Sequence, residues 1–172
     1  GDAGGAFGQA SWTPPVLDDR AHVTVGGRIT RDAKKGSLDV VNGALPSYVD
    51  ANKNTVVGAI PLDESWSHFD PLVSVAYELT PEVNLYGRWG MGYKAGGANS
   101  RSLTYRAFDP EKVDSYEAGW KAALFDRRLQ VAAAVFDAEY KDVQVPGSAG
   151  GVTAGGVPTF IGITTNAGKA RF

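Results

Sequence analysis

Several side chains in this sequence have the chemistry to catalyse or to hold a metal, and their spacing decides whether they do. Asp137, Glu139 and Asp142 lie close together, and Asp109 and Glu111 form a second acidic pair. Two carboxylates on one strand face are what a general acid–base pair or an oxygen-ligated calcium requires. Asp137 and Glu139 do share a face, but Lys141 follows at the same period, so a solvated row of mixed charge is the better reading. His22 and His68 stand alone, without HxxxH or HExxH spacing. Ser11, Ser65 and Ser74 lack the GxSxG setting of a nucleophile elbow. Gly90-Met91-Gly92, followed by Tyr93-Lys94-Ala95-Gly96, has the glycines of a phosphate loop but neither its Gly-Lys-Ser/Thr ending nor a following helix. No catalytic, cofactor-binding or metal-binding residue emerges, and nothing argues for an enzyme. What remains is charge at alternating positions: Arg28 on one stretch, Arg88 and Lys94 on a second, Glu117 and Lys121 on a third.

The elements that carry these charges read as strands. From 72 to 97 the chain runs LVSVAYELTPEVNLYGRWGMGYKAGG. Leu85, Gly87, Trp89, Met91 and Tyr93 alternate with Asn84, Tyr86, Arg88, Gly90, Gly92 and Lys94, and a side-chain period of two puts the two sets on opposite faces. Thr80-Pro81-Glu82 is too short for anything but a hairpin. Residues 111–145 repeat the design. Tyr116, Ala118 and Trp120 oppose Ser115, Glu117 and Lys121, and 125–128 is the tight turn. On the return strand Phe136 and Tyr140 oppose Asp137 and Glu139. Alternation also marks 20–32, a short strand is expected over 6–13, and another begins near Phe160. Three segments, 33–65, 95–110 and 146–158, show no sustained period. Short connections near 14–19, 80–82 and 125–128 thus alternate with long ones. Transmembrane barrels connect their strands in that way, with short turns on the periplasmic side and long loops outside. Soluble sandwiches mix connection lengths with less order.

Composition sets outer bounds. The chain has 172 residues, 22 glycines, no cysteine and a formal net charge of −2. Glycine-rich chains with short periodic runs favour strands over helices. There is no basic excess to neutralise phosphates, so nucleic acid is not an expected partner. Lack of cysteine excludes disulfide scaffolds, thiol catalysis and cysteine-ligated zinc. No run approaches the roughly 18 apolar residues of a spanning helix, which leaves open barrel strands of about ten residues each. There is no charged region followed by an apolar core at the N-terminus, so no signal peptide is expected in the chain.

Six short runs in order resemble the C-terminal barrel of TonB-dependent outer-membrane receptors. They are Tyr77-Glu78-Leu79-Thr80-Pro81; Leu85-Tyr86-Gly87 with Gly92-Tyr93-Lys94-Ala95-Gly96-Gly97; Phe108-Asp109-Pro110-Glu111; Ser115 to Lys121; Ala134-Val135-Phe136 with Tyr140-Lys141-Asp142-Val143-Gln144; and Asn166-Ala167-Gly168-Lys169-Ala170. The resemblance implies an all-β fold, an antiparallel up-and-down meander of about seven strands. Residues 1–172 would be part of a larger transmembrane barrel, with the plug domain and the remaining strands missing. It implies a piece of an active importer in a Gram-negative outer membrane, taking up a scarce nutrient such as an iron–siderophore complex, cobalamin or a glycan. Its partners would be outer-membrane lipid, its own plug and TonB. Arg28, Arg88, Lys94, Glu117 and Lys121 are then the lumen-facing candidates for ligand contact. A soluble all-β ligand- or glycan-binding module, and a passive porin-like barrel, are the alternatives. On the barrel reading Val73, Val75, Tyr77, Leu85, Trp89, Tyr93, Tyr116, Trp120, Phe136 and Tyr140 should share the outer face. Arg28, Arg88, Lys94, Glu117, Lys121 and Glu139 should share the inner one.

Overall fold

The computed structural model describes residues 1–39, 45–49, 53–99, 107–152 and 158–172. Seven long strands form one antiparallel sheet: β1 (Asp2–Trp12), β2 (Ala21–Leu38), β5 (Ile60–Thr80), β6 (Val83–Lys94), β9 (Glu111–Leu124), β10 (Leu129–Val152) and β11 (Pro158–Arg171). Each pairs with the long strand before and after it in the chain, so the sheet is an up-and-down meander. Two small hairpins complete the described strands: β3 (Ser47–Val49) with β4 (Thr55–Val57), and β7 (Gly97–Ala98) with β8 (Ala107–Phe108). The one helical segment among the described residues is a 3-10 turn, Leu17–Asp19, in the short connection after Pro14-Pro15.

The register sorts the side chains into two faces, because directly opposed residues point the same way. Val25, Val73, Trp89 and Tyr116 form one row across four strands, Val23, Val75, Gly87 and Ala118 form the next row down, and Ala21, Tyr77, Leu85 and Trp120 the one below that. On β2, β5, β6 and β9 this apolar set begins beside a short turn and runs for about nine residues, the length that crosses a hydrocarbon core. From Tyr77 to Phe69 on β5 the distance along the strand is about 26 Å at 3.3 Å per residue. Beyond that height the same face turns polar, with Arg31 on β2 and Ser67 on β5, and on the next strands the change comes lower, with Asp114 on β9 and Asp137, the register partner of Tyr116, on β10. Asp137 takes two hydrogen bonds from Arg171, at 2.8 and 2.9 Å, and Lys169 pairs with Glu139 at 3.2 Å.

No second layer covers the apolar belt among the described residues. Ala21, Ile60, Leu62 and Ala122 are the buried hydrophobics, too few and too scattered to be a core, while Val75, Tyr116 and Trp120 are 46%, 52% and 39% exposed. A soluble monomer does not leave so wide an apolar surface to water. This is the wall of a transmembrane barrel, with lipid as its missing layer.

Four expectations are corrected. Phe136 opposes Glu117, and Tyr140 opposes Val113, so both lie on the inner, polar side, while Glu139 opposes Asp114 on the outer one. The cause is the four-residue turn 125–128, which sets Leu124 against Leu129. An even-numbered residue of β9 therefore meets an odd-numbered one of β10, and a parity change flips every side chain. Tyr93, expected outside, lays its ring on His68 at 4.9 Å and 5°. His68 opposes Thr30 on the inner face. The β5–β6 ladder stops at Leu72–Gly90, next to Pro71, which has no N–H to continue it. Above that point ring stacking joins the two strands.

The long connections also change. β2 and β5 stay paired up to Leu38–Ile60, and β10 and β11 up to Val152–Pro158, well inside stretches that show no period in the sequence. The segments at 40–44, 50–52, 100–106 and 153–157 lie outside the described residues. A two-stranded ribbon with water on both faces keeps its backbone hydrogen bonds without needing alternation, so the pattern fades while the ladder continues.

Candidate functional site: the polar face of the wall

The face opposite the belt is lined by small and hydrogen-bonding side chains. Ser11 and Thr24 share a hydrogen bond across β1 and β2 at 2.8 Å, and Thr13 Oγ1 lies 2.9 Å from His22 Nδ1. His22 Nε2 lies 3.4 Å from Glu78 on β5. These contacts sit back to back with the apolar belt, on the alternate residues of the same strands.

Four of the five charged candidates fall into two groups on this face. Arg88 and Glu117 are register partners on β6 and β9, and Lys121 opposes Asn84 two repeats nearer the short turns. Tyr86 joins this group, although the sequence did not single it out. Its hydroxyl donates to Glu117 Oε1 at 2.7 Å, and the Lys121 Nζ sits 5.3 Å from its ring centroid. A half-buried tyrosine between an acid and an amine fixes both, so Glu117 and Lys121 are held in place. Arg88 makes no ion pair among the described residues and stays exposed at the rim of a recess with Asp70, Gly90, Ser115 and Glu117. Arg28, the second group, opposes Asp70 on β5 and donates to Thr30 Oγ1 at 3.0 Å. It borders an adjoining recess with Asp32, Asp70, Gly92 and Tyr93. Asp70 is common to both recesses and is engaged by His68 Nδ1 at 2.9 Å. Lys94 opposes Glu111 at the top of β6 and lines neither recess. Tyr86 shares the face of Arg88 and Lys94 already in the sequence, whereas Asp70, which precedes the alternating stretch that starts at Leu72, was legible as inner-facing only with the register in hand.

Glycines open these recesses. A Cβ at Gly92 would come within 2.8 Å of Val113, and one at Gly119 within 2.5 Å of the Ala133 carbonyl oxygen and 2.9 Å of the Tyr86 ring. The Ala133 contact is backbone and cannot move aside without breaking the β9–β10 ladder. Gly119→Val is therefore expected to destabilise the barrel by about 1–3 kcal/mol and to unseat Tyr86 from Glu117. The check is the temperature at which the folded barrel loses its compact electrophoretic form. An unchanged temperature would mean that Tyr86 and the ladder have room to spare.

The comparisons with known proteins agree with this architecture. All of residues 1–172 match the family model for the TonB dependent receptor-like β-barrel. A segment of 73 residues, 42% of this chain, is 38% identical to the metal-pseudopaline receptor CntO of Pseudomonas aeruginosa, and covers 10% of that protein. Among solved structures, the ferric yersiniabactin uptake receptor FyuA of Yersinia pestis superposes with a TM-score of 0.68 at 23% identity, over 98% of this chain and 22% of that one. The hemophore receptor HasR of Serratia marcescens gives a TM-score of 0.67 at 15% identity, over 99% of this chain and 30% of that one. The chain thus spans a tenth to under a third of the length of these proteins.

Proposed function

The chain belongs to the TonB-dependent receptor β-barrel family, and from that premise we propose that it is part of the wall of an outer-membrane importer for a metal chelate, driven through TonB by the inner-membrane proton gradient. The observation that carries the reading is the division of one sheet into an apolar belt and a polar, recessed inner face bearing Arg28, Arg88, Glu117 and Lys121. A wall of that kind separates lipid from an aqueous lumen. The functions of similar receptors, uptake of ferric yersiniabactin and binding of metal-pseudopaline or a hemophore, favour a chelated metal over cobalamin or a glycan. The lumen would hold a plug domain from elsewhere in the receptor, and Arg88, which makes no ion pair among the described residues, would meet either plug or ligand.

The experiment is uptake of radiolabelled ferric and other metal chelates by cells carrying or lacking the complete receptor, with and without a protonophore. Uptake should depend on the receptor and collapse with the protonophore. Arg88→Glu should lower uptake of anionic chelates by about tenfold, since one close charge contact is worth on the order of 1.5–3 kcal/mol. Uptake that persists with the protonophore would make the barrel a passive pore, and recovery of the protein without detergent would make it a soluble binding module.

A further inference from the structure

The runs that signal the family in the sequence lie far apart along the chain, yet the fold brings four of them to one spot. Above the belt, the β2–β5 and β10–β11 ribbons stand taller than β6 and β9, which end at Lys94 and begin at Glu111. The notch between the ribbons is filled by the β7–β8 hairpin. On the ribbon to one side, Lys34 Nζ donates to Gly96 O at 2.5 Å. A Cβ on Gly96 would collide with the Phe108 carbonyl oxygen and come within 2.8 Å of the Trp66 ring, so the hairpin fits here only with glycine at 96.

On the other side two amides do the fastening. Asn166 on β11 accepts from Asp109 N at 2.7 Å and donates to the carbonyl oxygens of Asp109 at 2.8 Å and Asp142 at 2.9 Å. Asp142 presents its carbonyl from a left-handed φ of 54°, where the β10–β11 register skips a pair. Gln144 Nε2 donates to Ala95 O at 3.0 Å and Asp109 O at 3.1 Å, while its backbone N–H donates to Glu111 Oε2 at 2.9 Å. Asn99 closes the set by exchanging hydrogen bonds with the Thr164 backbone at 2.6 and 2.9 Å.

We infer that the runs around Ala95–Gly97, Phe108–Glu111, Asp142–Gln144 and Asn166 build a single clasp that ties the two tall ribbons into one mechanical unit. Asn166 and Gln144 are its positioning residues: neither lines the recesses beside Arg28 and Arg88, and both hold backbone that would otherwise lie open in the notch. The ribbons rise beyond the belt on the side where the long connections are. A ligand that orders one ribbon then reduces the cost of ordering the other, which is coupling through shared rigidity. This holds for any cargo and does not depend on the chelate proposed above.

The test is hydrogen exchange, read by mass spectrometry, on the complete receptor in detergent micelles. Gly96→Val attacks the clasp at the β2–β5 side. The expected result is exchange faster by about tenfold at the Gln144 and Thr164 amides on the opposite ribbon, the scale of losing one or two hydrogen bonds. Amides of 131–135, inside the belt, should not change. If Gly96→Val does not assemble, Asn166→Ala makes the reciprocal test, with faster exchange expected at 95–98 and at Lys34. Changes confined to the ribbon bearing the substitution, or spread equally into 131–135, would overturn the inference.

Discussion

Val73→Arg in the complete receptor is expected to cost about 2–4 kcal/mol of barrel stability and to reduce sharply the amount that reaches the membrane. Ser74→Arg, one residue away, should be tolerated to within about 1 kcal/mol. Val73 lies in the middle of the belt, between Val25 on β2 and Trp89 on β6. A guanidinium there must stay charged in hydrocarbon or thin the bilayer around it. Ser74 lies opposite Arg88 on the inner face, where a second cation meets water. It adds only like-charge repulsion, which salt weakens. The measurement is folded barrel recovered from membranes, scored by its compact electrophoretic form. Equal recovery of the two variants would mean that the faces do not differ in what they touch.

The chain expressed alone, without detergent, should aggregate. Its sheet is open, with β1 and β11 at the edges, and unpaired strand edges template association with other chains. Trp12, Val75, Tyr116 and Trp120 present an apolar surface meant for lipid, and Arg28, Arg88, Glu117 and Lys121, which could offset it, lie on the other face. Trp89→Asp with Trp120→Asp should raise the soluble fraction of this piece while impairing assembly of the complete receptor. The two effects have opposite signs because the same surface is a liability in water and a requirement in the bilayer. Size-exclusion chromatography reads the first effect. A sharp monomer peak with cooperative thermal unfolding of the unsubstituted chain would mean that it is a self-sufficient soluble domain.

The meander and its two-faced character were legible because β5, β6 and β9 alternate strictly where lipid meets one side. Every long strand expected from the sequence is present, and Arg28, Arg88, Glu117 and Lys121 take the expected side. What was illegible has physical causes. The faces of Phe136, Tyr140 and Glu139 depend on the parity of a four-residue turn, which alternation within either strand cannot fix. Tyr93 left the outer face because the ladder ends beside Pro71, an effect of the neighbouring strand. The upper halves of β2, β5, β10 and β11 carry no period since nothing there requires one. The clasp was hidden for a different reason. Its motifs could be recognised singly, but Asn166 and Asp109 are 57 residues apart and meet only through the register.

The claim on which all of this rests is that one face of the wall touches lipid and the other an aqueous lumen. It is tested most directly by spin labels placed one at a time at 72–77 on β5 of the complete receptor in bilayers. Collision with oxygen, which concentrates in lipid, and with a water-soluble nickel chelate is then measured at each site. The account predicts a period of two: oxygen maxima at 73, 75 and 77, and nickel maxima at 72, 74 and 76, out of phase. Nickel access at every position, or two profiles that rise and fall together, would contradict it.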